Sequence, residues 1–79
     1  MIIKVLGPGC KKCHTLEQEV KAALVEMDYD AEVEKIEDME KIVDAGIMLT
    51  PGLIINDKLK VMGKVPKRKD IIKYIEEEK

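Results

Sequence analysis

The sequence predicts an α/β fold of order βαβαββα, a central four-stranded mixed sheet flanked by three helices, and three observations carry that prediction. Short β-rich runs alternate with helically spaced apolar positions through the first half of the chain. A turn signal, Asn56-Asp57, divides two later apolar runs. The last segment returns to helical spacing with Ile71, Ile72 and Ile75. Strands alternating with helices imply right-handed crossovers and parallel pairing, and the hairpin adds antiparallel strands to the same sheet.

Taken in order, Ile2 to Leu6 is a strand, ended by Gly7-Pro8-Gly9, which cannot easily continue it. A helix runs from Cys10 or Lys11 to Met27 or Asp28, because Leu16, Val20, Ala23, Leu24 and Met27 recur on one face and Glu17 and Lys21 pair on the other. After Asp30, Ala31 and Val33 alternate with Glu32, Glu34 and Ile36 in a charged strand suited to a sheet edge. Asp38 can cap a short helix with Met39, Ile42 and Val43 facing inward and Gly46 ending it in the left-handed conformation. Leu53-Ile54-Ile55 and Leu59, Val61 and Met62 form the hairpin, which Gly63 closes. Pro66 suits the first turn of the last helix. There Lys67-Arg68-Lys69 meet the positive end of the helix dipole and Glu76-Glu77-Glu78 the negative end, so frayed ends are expected.

Composition bounds the function. At 79 residues the chain has room for one domain spanning 1–79, and it buries only about 60% of its unfolded surface, which disfavours a large substrate cavity. It is 46% hydrophobic and 38% charged with no Phe or Trp, so the core must be aliphatic. A formal charge of −2 argues against nucleic-acid or electrostatic membrane binding. The N-terminus has no signal-peptide pattern and no apolar run is long enough to span a bilayer, so a cytoplasmic protein is expected.

Both cysteines fall in Cys10-Lys11-Lys12-Cys13. A bridge between them closes so short a loop that it contributes about 2 kcal/mol at most, which makes chemistry a better reason for the pair than structure. The dipole and unpaired N–H groups at a helix start favour a thiolate on Cys10, and Lys11 and Lys12 act in the same direction. Cys10 is therefore the expected nucleophile. Cys13 extends the stripe of Leu16, Val20 and Leu24, which turns its sulfur toward the core and makes it the resolving thiol. Helical spacing sets the two α-carbons about 5 Å apart, within the reach of a disulfide.

Gly7-Pro8-Gly9-Cys10-Lys11-Lys12-Cys13 after a short strand, with Thr50-Pro51 before the hairpin and Gly63 after it, resembles the thioredoxin superfamily. The length is similar to that of the small archaeal and bacterial thioredoxins also described as glutaredoxin-like or redox-active disulfide proteins. The resemblance covers essentially the whole chain and implies a thioredoxin-like fold. It implies a protein-disulfide oxidoreductase acting in electron transport and cell redox homeostasis, with protein disulfides as substrates, a separate reductase, no bound cofactor and a monomeric state. It makes Pro51 a cis-proline, Thr50 a backbone partner for an extended substrate peptide, and Gly63 the point where that peptide approaches closely. Two features depart from the family pattern. Lys11-Lys12 is neither the Gly-Pro of typical thioredoxins nor the Pro-Tyr of typical glutaredoxins, and Gly9 stands where thioredoxins commonly have tryptophan. Lys64-Val65-Pro66 lacks the acidic pair by which glutaredoxins commonly hold glutathione.

Other chemistries use the same residues. Copper chaperone modules of similar length carry C-x-x-C between their first strand and first helix, but they end on a strand and have a methionine before the motif, where Pro8-Gly9 stand here. Cys10 to His14 also matches the c-type haem pattern, without an export signal. Zinc would find only Cys10, Cys13 and His14 as soft ligands, too few for a closed structural site. His14, the methionines Met27, Met39, Met48 and Met62, and Lys67-Arg68-Lys69 are read as a solvated helix residue, packing residues and a solvated face.

Overall fold

The computed structural model describes residues 1–9 and 11–79. Its elements are β1 (Ile2–Leu6), α1 (Lys11–Met27), β2 (Glu32–Ile36), α2 (Met39–Asp44), β3 (Gly52–Ile55), β4 (Lys58–Met62) and α3 (Arg68–Glu77). The sheet order is β2-β1-β3-β4. β1 pairs parallel with β2, with Ile3 opposite Val33, and antiparallel with β3, with Ile3 opposite Ile55. A register shift between Leu53 and Ile54 interrupts the β3–β4 ladder.

Strand alternation divides the apolar side chains between two faces. Ile3, Val5, Leu53, Ile55 and Val61 join Leu16, Val20, Ala23 and Leu24 of α1 and Ile71 and Ile75 of α3 in one aliphatic core. Leu6 and Ile54 point the other way and meet Ile42 and Ile47, with Ile36 packed alongside. Two long helices therefore cover one face, while the six residues of α2 cover the other.

Local chemistry accounts for the element ends. Asp28, in the left-handed region at φ 51°, ends α1 in a Schellman motif in which Tyr29 N–H donates to the Leu24 carbonyl and Asp28 N–H to that of Val25. α2 ends the same way: Gly46 has φ 85°, Ile47 N–H donates to Ile42 and Gly46 N–H to Val43. The Asp38 carboxylate accepts from Glu40 N–H at 2.9 Å and caps α2. Asn56 and Asp57 both have positive φ, as a two-residue type I′ hairpin turn requires.

Three local expectations are corrected. Met39 and Val43 do not face inward; they are 55% and 64% exposed, because one turn of α2 can bury only the single stripe that Ile42 occupies. Pro66 is buried ahead of α3 instead of in its first turn, and Lys67 takes the N-cap position. The ends of α3 have tertiary partners in place of a favourable dipole. Arg68 Nε lies 3.0 Å from Glu19 of α1, and Lys60 of β4 lies 2.9 Å from Glu78 and 3.2 Å from Glu77. The hydrogen bond from Lys60 holds the Glu78 carboxyl below its ordinary value, and the same bond raises the Lys60 ammonium.

Candidate functional site

Cys10 lies outside the described residues, so the site is built here from the groups on both sides of it. On the strand side, Gly7 N–H donates to the Ile36 carbonyl at 2.9 Å and carries the β1–β2 pairing one step past the strand. Gly9 follows at φ 88°, a backbone conformation that favours glycine, and a Cβ there would come 2.9 Å from Glu37 Oε2. On the helix side, Lys11 and Lys12 are exposed in the first turn of α1, which contains no acidic residue. Local cationic charge and the positive end of the helix dipole thus coincide at the start of α1.

Cys13 has no exposed surface and sits on the buried stripe of α1 with Leu16 and Val20. Its sulfur packs against Gly7 so closely that a Cβ on Gly7 would overlap it. The same Cβ position is 3.8 Å from Thr50 Cβ, so Gly7 forms a floor between the Cys13 thiol and the loop ahead of β3. The need for a small residue at position 7 was not read from the sequence, where Gly7 served only as a strand breaker.

In that loop the Thr50–Pro51 peptide bond is cis. Pro51 is fully buried and Thr50 half-buried. Gly63 N–H donates to the Pro51 carbonyl at 2.8 Å, which ties the end of β4 to the proline. Gly63 has φ 84°, and a Cβ on it would come 2.9 Å from Leu49 Cβ. The fold therefore gathers Cys13, Thr50, Pro51 and Gly63, with Lys11 and Lys12 at the neighbouring helix start. His14 is exposed, and the Lys35 ammonium, which can only donate, lies 3.4 Å from its Nδ1.

The sequence reading also missed Glu37, beside Gly9, and a set of exposed apolar side chains, Met39, Val43, Met48 and Leu49, next to Thr50. The available signal was Met48-Leu49 standing in a loop, where two large apolar residues have no strand or helix face to bury them.

A C-x-x-C pair at a strand-to-helix junction, a buried second cysteine and a cis-proline leading into a hairpin define a thiol-disulfide oxidoreductase of the thioredoxin superfamily. Residues 1–76 match the thioredoxin domain family model. The chain is 40% identical over 75 residues to a thioredoxin of Methanothermobacter thermautotrophicus, covering 95% of this chain and 97% of the relative. It is 34% identical over 71 residues to a thioredoxin of Methanocaldococcus jannaschii, covering 90% of this chain and 81% of the relative. It is 31% identical over 84 residues to a probable thioredoxin of Methanothermobacter marburgensis, covering 99% and 98%. The chain belongs to the thioredoxin domain family and is a thioredoxin-like disulfide oxidoreductase. None of these relatives supports the copper-module alternative.

Proposed function

We propose that the protein reduces protein disulfides with Cys10 as attacking thiolate and Cys13 as resolving thiol. The observation that carries the reading is the burial of the Cys13 sulfur against Gly7 beside the Thr50–Pro51 loop, while the first turn of α1 presents two exposed lysines at the Cys10 end. Cys10 thiolate attacks one sulfur of the substrate disulfide, forming a mixed disulfide and expelling the other sulfur as a thiolate, which takes a proton from solvent. Cys13, losing its own proton, then attacks the Cys10 sulfur. The internal bridge closes and the second substrate sulfur leaves, so two electrons pass to the substrate. A dithiol of a separate reductase returns them by the same exchanges in reverse. Lys11 and Lys12 favour the attacking thiolate. Thr50 offers its backbone to an extended substrate segment, and Gly63 leaves that segment room. The chain acts as one monomeric unit spanning 1–79, in the cytoplasm. No helix among the described residues is long and apolar enough to cross a membrane.

Cys13→Ser tests this reading. Incubated with a disulfide-bonded protein, the variant is expected to accumulate a mixed disulfide on Cys10 that mass spectrometry maps to that residue. Cys10→Ser is expected to trap nothing and to lose turnover by about 10³-fold or more. Retained reductase activity in Cys10→Ser would overturn the role assignment.

A further inference from the structure

We propose that Met62 is an oxidative modification site: hydrogen peroxide converts its thioether to the sulfoxide, the loop carrying Thr50 and Pro51 loses a fastening, and reduction of protein disulfides slows. The inference rests on the protein-disulfide reading above and deepens it by adding a control on the same site.

Successive residues of that loop are held to the ends of β3 and β4 in different ways. Ile47 packs over Gly52, where a Cβ would come 2.7 Å from Ile47 Cδ1. Met48 N–H donates to Met62 Sδ at 3.4 Å and makes no other hydrogen bond among the described residues. Leu49 packs against Gly63, whose own N–H holds the Pro51 carbonyl at 2.8 Å. Gly52 and Met62 stand opposite each other in the β3–β4 register, so the sulfur acceptor belongs to the strand position across from the residue that follows Pro51.

The chemistry of that acceptor singles it out. The contacts of Ile47 and Leu49 are hydrocarbon and the Gly63 bond is backbone, so among these fastenings only the thioether is open to a mild two-electron oxidant. β4 is an edge strand and Met62 is 38% exposed, which lets peroxide reach the folded protein at this position. One oxygen atom passes to the sulfur: an S–O bond forms as the O–O bond breaks, the sulfur is oxidised by two electrons, and the peroxide leaves as water. The side chain becomes polar, and its new oxygen is a stronger acceptor lying farther out than the sulfur. The Met48 amide either follows that oxygen or is released, and the loop ahead of Thr50 shifts in both cases. Met39 and Met48 are also exposed, but no hydrogen bond among the described residues uses either sulfur.

The test uses the Met39→Leu/Met48→Leu protein, in which Met62 is the remaining exposed methionine. Peroxide is applied to the disulfide form, which protects both cysteines, and dithiothreitol then opens the bridge and leaves the sulfoxide in place. Peptide mapping is expected to find one added oxygen on Met62. The kcat/KM for reduction of insulin is expected to fall about fivefold, and that for hydroxyethyl disulfide, too small to engage the loop, to change by less than about twofold. Hydrogen exchange at the amide of residue 48 is expected to quicken. With Met62→Leu added, treated and untreated protein are expected to reduce insulin alike. Sulfoxide on Met62 with an unchanged insulin rate, a Met62 left unmodified at doses that fully oxidise Met48 in the wild type, or an equal loss of rate after Met62→Leu would overturn the proposal and leave the redox reading standing. Untreated protein that reduces hydroxyethyl disulfide and no protein disulfide would overturn the protein-disulfide reading, and this inference with it.

Discussion

The two faces of the sheet differ in how they are covered. Under α1 and α3, eleven buried residues among those described form a continuous aliphatic core, and the ends of α3 are tied by Arg68 to α1 and by Glu77 and Glu78 to Lys60. Under α2, four buried residues make a small cluster, and Met39, Val43, Met48 and Leu49 stand open above it. The contrast shows how a chain of 79 residues divides its burial unequally between two faces. It concentrates the stabilising burial on one face and leaves the other thinly roofed. Cys13 spans the division, since it belongs to the helix of the thick face and its sulfur meets Gly7 at the start of the site.

Substitutions can break or sharpen this comparison. The largest stability loss is expected from Ile71→Ala, which empties a fully buried position between α3 and the sheet and should cost about 2–5 kcal/mol by urea denaturation. A loss below about 1 kcal/mol would mean that the thick face does not carry the fold. Next is Gly7→Ala, whose Cβ has no room beside the Cys13 sulfur. About 1–3 kcal/mol is expected to be lost, together with faster alkylation of Cys13 as α1 shifts outward. Val43→Ser on the thin face is expected to change stability by no more than about 0.5 kcal/mol, since the side chain is mostly exposed.

The smallest effect concerns pH. Glu78 titrates below its ordinary value because Lys60, and then Lys58, bond to its charged form. Its contribution to stability is therefore present above its unfolded pKa of 4.5 and is lost as pH falls through the lower folded value. Lys60 is shifted upward from 10.5, so its contribution is present below that pH and lost as pH rises through the folded value. Glu78→Gln is expected to lower the melting temperature modestly at neutral pH, where the carboxylate is charged, and to converge with wild type in acid, so that the acid limb of a plot of melting temperature against pH flattens.

Much of this was legible in the residues. The order of elements, the hairpin at Asn56-Asp57, the left-handed stop at Gly46 and the inward cysteine follow from period, turn chemistry and the stripe of Leu16, Val20 and Leu24. These are local signals, and local physics decides them. What was not legible depends on distance along the chain. Met39 and Val43 have helical spacing from Ile42 that looks inward-facing, and only the brevity of α2 against the sheet shows that they are left outside. The unfavourable charges at the ends of α3 looked like a source of fraying because their partners, Glu19 and Lys60, are remote in sequence. The small residue required at position 7 is likewise dictated by a sulfur from the following helix.

The measurement that bears most directly on the central claim is the rate at which each thiol of the fully reduced protein reacts with iodoacetamide as a function of pH, resolved by mass spectrometry. Cys10 is expected to react first at neutral pH, with a midpoint well below the ordinary thiol value of about 8.5, while Cys13 stays unmodified until the protein is unfolded. Equal reactivity of the two thiols, or earlier modification of Cys13, would contradict the account.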